Sequence, residues 1–200
     1  MEYQGIIVGL GNPGAQYAGT RHNTGFDFVD ALLAHAERDG SCAALSGGKF
    51  KCELWKFQLP DWGWWLAAKP QTFMNLSGES VQPLLAWHKM TPEALVVAHD
   101  ELDIPAGALR FKCGGGNAGH NGLKSITQML GTPDFQRLRI GIGRPPFKGD
   151  VTNWVLGRPD ATDRDLQRQA FSAGEETLRI FILHGVQRAS QYALSHKIPE

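Results

Sequence analysis

The 200-residue chain holds three cysteines, Cys42, Cys52 and Cys113, an odd number without C-x-x-C spacing, which argues against both a disulfide framework and a structural zinc site. It has no stretch approaching the ~20 apolar residues of a membrane span. Its first apolar run is too short for a signal peptide and is soon followed by Arg21, so a soluble cytoplasmic protein with no membrane partner is expected. Net charge is absent too, 20 Lys and Arg balancing 20 Asp and Glu, so the chain as a whole carries no nucleic-acid signature. No two histidines have H-x-H or H-x-x-x-H spacing, which leaves metal catalysis without an evident ligand set. A G-x-S-x-G elbow is missing, which disfavours a serine esterase, and Gly122-Leu123-Lys124-Ser125 sets a residue between glycine and lysine where a Walker loop has none. There are no internal repeats, low-complexity tracts or linker-like boundaries. What remains, with 42% hydrophobic residues, suits one domain over residues 1–200 with a real core and no room for a second catalytic domain.

Charge is balanced overall but not locally. Between Ile104 and Gly149 stand Arg110, Lys112, Lys124, Arg137, Arg139, Arg144 and Lys148 against Asp134 alone. Such a stretch is either a solvated face or the footprint of phosphate binding.

The densest chemical signal is Gly9 to Gly25, GLGNPGAQYAGTRHNTG, in which a glycine turn, two asparagines and a histidine follow one apolar strand, Ile6–Leu10. Loops after strands are where open α/β sheets hold ligands. His22 is the one group there able to take and return a proton near neutrality, its ordinary pKa being about 6.5. Asn12 can orient it or bind a carbonyl. Gly9-x-Gly11-x-x-Gly14 also matches the dinucleotide fingerprint, but that motif needs a helix opening at the glycines and an acid ending a second strand about 20 residues on. Pro13-Gly14 breaks an early helix, the helical pattern begins only near Phe26 (Phe26, Val29, Leu32, Leu33, Ala36), and Asp30 falls inside it.

Lys49–Leu59 and Trp64–Lys69 read as a hairpin turned by Pro60-Asp61-Trp62-Gly63. The next helix runs to about His88. Pro83 is tolerated only in a first turn, so a start at Ser80 is expected, since a start at Ser77 would imply a kink. Leu95–Ala98, Ala108–Lys112 and Leu138–Ile142 read as strands, with a helix opening at His120 or Asn121. From Asp160 a long amphipathic helix ends at Gly185, and a shorter one runs to about Ser195. Strands interleaved with helices make an α/β protein. The tryptophans of the hairpin are expected to pack the sheet or decorate its turn.

Asp100 ends a strand, where a carboxylate could hold an imidazole in one tautomer and stabilise its protonated form; strand-end solvation or capping is the bland alternative. Glu101 and Asp103 have no comparable claim. Asn75 and Asn121 carry amides suited to gripping a peptide backbone of any sequence, or they are ordinary turn and cap residues. Gly114-Gly115-Gly116 could cradle phosphate but reads more plainly as a mobile lid. Cys113 with His120 offers a thiol-nucleophile alternative that requires an electropositive setting. His35, His88, His184 and His196 lie on helices or a terminus without polar company.

Four further motifs, KPQTFMNLSG (69–78), VVAHDELD (96–103), GGGNAGHNGLKS (114–125) and RLRIGIGRP (137–145), join the first segment in order over nearly the whole chain. Together they resemble bacterial peptidyl-tRNA hydrolase. The resemblance implies a single α/β domain, a twisted mixed sheet flanked by helices, acting as a monomer without metal or other cofactor. The implied activity is hydrolysis of the ester between a peptide and the terminal ribose of tRNA, releasing tRNA for reuse in translation. It further implies that His22 is the base and Asp100 its partner, with Asn12 and Asn75 around the scissile ester. Asn121 and Met74 would line the peptide site, Tyr17 would bind substrate, His120 would contact the tRNA side, and Lys112 and Arg139 would clamp the 5′ phosphate with Arg144 and Lys148 on the rim. The placement of Arg137 against Arg139 stays open. Some relatives of this fold are RNA-associated partner proteins without hydrolysis, but that route loses catalytic residues, and His22, Asp100, Asn12 and Asn75 are all present.

Overall fold

The computed structural model describes residues 2–38, 41–147 and 149–196. Seven strands form one mixed sheet: β1 (Ile6–Gly9), β2 (Cys42–Leu45), β3 (Cys52–Leu59), β4 (Gly63–Pro70), β5 (Leu95–Glu101), β6 (Leu109–Cys113) and β7 (Gln136–Gly141). Their order is β2-β3-β4-β1-β5-β7-β6, with the central pairs β4/β1, β1/β5 and β5/β7 parallel and the outer pairs antiparallel. The helices are α1 (Thr24–Arg38), α2 (Gly78–Trp87), α3 (Asn121–Leu130), α4 (Val151–Leu156), α5 (Ala161–His184) and α6 (Val186–Ser195). Among the described residues no helix is long and apolar enough to cross a membrane.

The period-two alternation of the parallel strands divides the core. Ile7, Val96, Ala98, Leu138 and Ile140 point to one face, covered by α1, α5 and α6 through Phe28, Leu32, Ala170, Leu178 and Ala189. Ile6, Val8, Leu66, Leu95 and Val97 point to the other, covered by α2 and α3 through Val81, Leu84 and Ile126. Burial on both faces is why these strands read as apolar runs.

The glycines of the first loop have a packing cause. A Cβ on Gly9 would stand 2.1 Å from Gly25 O, and one on Gly25 would stand 2.3 Å from Ala98 O. Both are required for α1 to approach β1 and β5 closely, and α1 opens only at Thr24, ten residues past Gly14. The dinucleotide arrangement is therefore not built.

The long helices, the hairpin and the strands lie where the sequence places them, to within a few residues at their ends. α2 is a correction. It starts at Gly78, not at Ser80, and carries Pro83 in its interior. The Gly78 N–H is satisfied by Ser125 Oγ of α3 at 2.9 Å, and this contact between α2 and α3 fixes the start; the cost is one Glu79 carbonyl without its i+4 N–H. β2 and α4 were not anticipated. Trp62 and Trp65 are buried in the core, and the Trp65 indole N–H donates to Trp62 O at 3.0 Å.

Candidate active site

β1 and β5 are adjacent and parallel, so the residues after β1 and the end of β5 meet at one edge of the sheet. The loop after β1 is fastened by Leu10 N–H to Ala98 O (2.9 Å) and returns through a 3-10 turn, Arg21–Asn23, that leads into α1. Asn23 pairs with the main chain of Asn12 in both directions: the Asn12 N–H donates to Asn23 Oδ1 (2.9 Å) and Asn23 Nδ2 donates to Asn12 O (3.0 Å). The turn thereby presents His22 to Asp100.

His22 Nδ1 lies 2.9 and 3.0 Å from the two carboxylate oxygens of Asp100. Burial pulls the His22 pKa down, but the charge and hydrogen bond of Asp100 outweigh it and leave it above its ordinary value. Asp100 is itself buried, which alone would raise its pKa, yet the two imidazoles His22 and His120 hold it far below the carboxylate range. As an anion it accepts Nδ1–H of His22, which leaves His22 Nε2 as the basic nitrogen.

His120 is the second donor to Asp100, its Nε2 lying 3.0 Å from Oδ1. Its Nδ1 accepts the first free amides of α3, Gly122 N–H at 3.1 Å and Leu123 N–H at 3.4 Å, so the ring is the N-cap of that helix. An atom that accepts two N–H groups carries no proton, so Nε2–H is the tautomer present. His99 stands beside it, ring centroids 5.0 Å apart; it donates Nδ1–H to Asp100 O (2.7 Å), leaves Nε2 unpartnered, and is pushed by burial down to about 3.

His22, Asp100 and His120 offer three ligand atoms within 4.8 Å of one another, close enough to test as a metal centre. The His120 tautomer opposes one. A cation on Nε2 would transfer the proton to Nδ1 and aim that N–H at the Gly122 and Leu123 amides, setting three donors against one another. The same two commitments of His120 remove it as the base for a Cys113 thiolate.

His22 and Asp100 open into a cavity of about 810 Å3, also lined by Asn12, Met74, Asn75 and Asn121. Asn12 Oδ1 accepts the Met74 N–H at 2.8 Å, which fixes the amide and leaves Nδ2 as its group for a ligand. Asn75 lies in a 3-10 turn, Met74–Leu76, and Asn121 is the first residue of α3; both are exposed at the cavity. Phe73, Leu102, Val151, Val155 and Leu156 form its apolar part. Tyr17 stands apart, in the turn where Thr20 Oγ1 donates to Tyr17 O (2.8 Å), and is not among the lining residues.

A second cavity, of about 310 Å3, shares Glu101 and Ala118 with the first and holds Lys112, Arg137, Arg139 and His99. Strand register explains the gathering: Arg139 stands opposite His99 on β5 and Arg110 on β6, and Arg137 opposite Lys112. Burial and the neighbouring Arg139 and Arg137 lower the Lys112 pKa, as expected of a cation among cations. Arg139 uses its Nε on Glu101 (3.0 Å). Arg137, 1% exposed, is spent on the backbone, donating to Gly115 O, Gly116 O and Pro133 O at 2.8 to 3.3 Å. The two arginines that line this cavity are thus committed differently: Arg137 is held by the loop backbone, and Arg139 by a single contact to Glu101. In Gly114-Gly115-Gly116, expected as a mobile lid, the Gly115 and Gly116 carbonyls accept from Arg137. Arg144 pairs with Asp103, and Lys148 lies outside the described residues. His35, expected without polar company, pairs with Glu175 at 2.7 Å.

Sequence reasoning missed Asn23, His99, Glu101 and Arg21 as parts of this assembly. Asn23 and Arg21 flank His22 and His99 precedes Asp100, so adjacency was the one available signal.

A family model described as peptidyl-tRNA hydrolase matches residues 6–199. A peptidyl-tRNA hydrolase of Desulfovibrio desulfuricans is 61% identical over 194 residues, covering 96% of this chain and 85% of that protein. One from Nitratidesulfovibrio vulgaris is 54% identical over 200 residues, covering 98% and 99%. The crystal structure of peptidyl-tRNA hydrolase from Acinetobacter baumannii aligns with a TM-score of 0.89 at 36% identity, covering 100% of this chain and 99% of that one.

Proposed function

The chain belongs to the peptidyl-tRNA hydrolase family, and we propose that His22 is the general base of its reaction. The activity is hydrolysis of the ester joining a peptide to the terminal ribose of tRNA; a non-catalytic RNA-associated role is not favoured. The observation that carries the mechanism is the His22–Asp100 contact, which occupies Nδ1 and leaves Nε2 basic beside an 810 Å3 cavity.

In this reading Nε2 takes a proton from water as the water oxygen attacks the ester carbonyl. Asp100 keeps the ring in the Nδ1–H tautomer and stabilises the imidazolium that forms. The carbonyl becomes an oxyanion, held by the Asn75 amide or a nearby backbone N–H. Collapse breaks the ester bond, and the ribose oxygen leaves with the proton from Nε2. Asn12 Nδ2 and Asn121 position the peptide, with Met74 against it, while Lys112 and Arg139 take the tRNA phosphate. Tyr17 and His120 reach substrate, on this view, only at the margin of the site. On this reading the enzyme acts as a monomer, and none of the roles named requires a metal or organic cofactor.

A single-turnover assay with a peptidyl-tRNA tests this. His22→Ala should lose at least ~10²-fold in rate with tRNA binding near normal. Wild-type-like turnover by that variant would remove His22 from the mechanism.

A further inference from the structure

Arg21, the neighbour of the base, has a use of its own. Its backbone N–H donates to Gly157 O at 2.9 Å, its Nη1 to Arg158 O at 3.0 Å, and its Nη2 to Asp163 Oδ2 at 3.0 Å. The guanidinium lies 3.7 Å from the centroid of the Trp154 ring. One buried side chain thus ties the turn that carries His22 to α4, to the residues after it and to the first turn of α5.

α4 is six residues long, too short to be stable by itself, and its principal packing partner is the Arg21–Asn23 turn. Trp154, whose indole N–H donates to Gly143 O (2.9 Å), points to one side. Val151, Thr152, Val155 and Leu156 fall on a different arc of the helix and line the catalytic cavity. These α4 residues do not line the cationic cavity of Lys112 and Arg139, so α4 walls the catalytic cavity on a side distinct from the phosphate site.

We propose that Arg21 is a positioning residue that fixes the distance between the His22 loop and the apolar wall of α4, and so sets the enzyme's preference for the side chain of the esterified amino acid. A bulky apolar side chain beside the scissile ester rests on Val151, Val155 and Leu156, whereas a glycine ester reaches none of them. When the clamp is released the base stays in place but the wall does not. This inference rests on hydrolysis at the His22 cavity and is independent of which group is the base.

The test uses one tRNA charged with either N-acetyl-leucine or N-acetyl-glycine, with kcat and KM measured for each. Wild-type protein should prefer the leucine ester. Arg21→Gln should lose at least ~5-fold more kcat/KM on the leucine ester than on the glycine ester, mostly in KM, since contact with one apolar side chain is worth factors of this order or more. Asp163→Asn and Trp154→Phe, which break the clamp from its far side, should shift the ratio the same way by less, and they carry the test if Arg21→Gln folds poorly. Arg21→Lys, able to keep one contact but not all, should fall between. Equal losses on both esters, an unchanged ratio in all variants, or no leucine preference in wild-type protein would overturn the proposal. His22→Ala is run alongside: full activity there would defeat the base assignment and leave the ratio readable.

Discussion

His120 Nε2 donates to Asp100 Oδ1 at 3.0 Å, so the carboxylate that partners His22 is shared between two imidazoles. The groups facing His22 are Asp100 and Glu101 at the end of β5, His120 ahead of α3, and Arg144 at the cavity margin. Of these, Asp100 is the one that raises its pKa. Removing the His120 donor leaves the full carboxylate charge to His22. In His120→Phe, which keeps the ring volume, the His22 pKa should rise further, and the acid limb of kcat with it. Titration of the His22 ring by NMR measures this directly. A purely tRNA-contacting His120 would raise KM and leave that titration in place.

The sign reverses for Asp100→Asn. As the proposed base His22 must be neutral to act, so a raised pKa places the wild-type acid limb above about pH 6.5. Without Asp100 only burial remains, which favours the neutral ring, so the limb should move to lower pH even as the rate falls. The rate should fall less than in His22→Ala, because orientation is lost and the base is kept. In the wild-type fold the raised His22 pKa contributes stability present below pH ~6.5 and lost as pH rises through the folded value. A kcat–pH profile of both proteins decides; an acid limb that does not move would detach Asp100 from His22.

Two arginines on one strand should fail differently. Lys112→Ala and Arg139→Ala should raise KM for peptidyl-tRNA and flatten its salt dependence, with much less effect on a short ester lacking the tRNA body. Arg137→Ala should act on stability, by about 2 kcal/mol or more, because three carbonyls lose a charged donor and the Gly115–Gly116 loop is freed. Denaturant melts and salt-dependent kinetics separate the two. A stable Arg137→Ala protein with a flattened salt slope would show that Arg137 also binds phosphate.

Exhaustive chelation, with the tRNA kept folded by monovalent salt, should leave turnover intact, and so should Cys113→Ala. Both follow from His120, whose nitrogens serve Asp100 and the α3 amides and are not offered to a cation or a thiol. Loss on chelation that one divalent ion restores, with tRNA folding unaffected, would mean that the ring leaves its cap.

The parts legible in the sequence are those with a local cause. Apolar runs gave β1, β5 and β7, the 3.6 period gave α1 and α5, and Pro60 to Gly63 marked the hairpin. His22 and Asp100, 78 residues apart, were named by their chemistry and motifs, but their meeting depends on β1 lying beside β5. The failures are tertiary. α2 starts early because Ser125 of α3 caps Gly78, a contact no local reading of Pro83 contains. α4 is held by Arg21 and has too few residues to show a period. The amides that His120 caps, Gly122 and Leu123, are two and three residues on, but its carboxylate partner Asp100 lies 20 residues back, so the contact that completes its tautomer is a tertiary one.

Asn12, Asn75 and Asn121 can pair with the neutral N–H and C=O of a peptide link. A free α-ammonium in their place would lose hydration against partners that do not neutralise it, at several kcal/mol in a closed site. N-acetyl-aminoacyl-tRNA should therefore be cleaved far faster than the same aminoacyl-tRNA with a free amine. The Asn12 geometry sharpens the test, because its Oδ1 is committed to the Met74 N–H while Nδ2 is left to the ligand. Asn12→Asp keeps the acceptor for Met74 and exchanges that donor for a negative oxygen, which should repel a peptide carbonyl, attract an ammonium and narrow the gap from both sides. The measurement is kcat/KM for the blocked and unblocked pair at one salt concentration, in both proteins. Similar values for the wild-type pair would make this a general tRNA-ester hydrolase and leave the three amides without a part in discrimination.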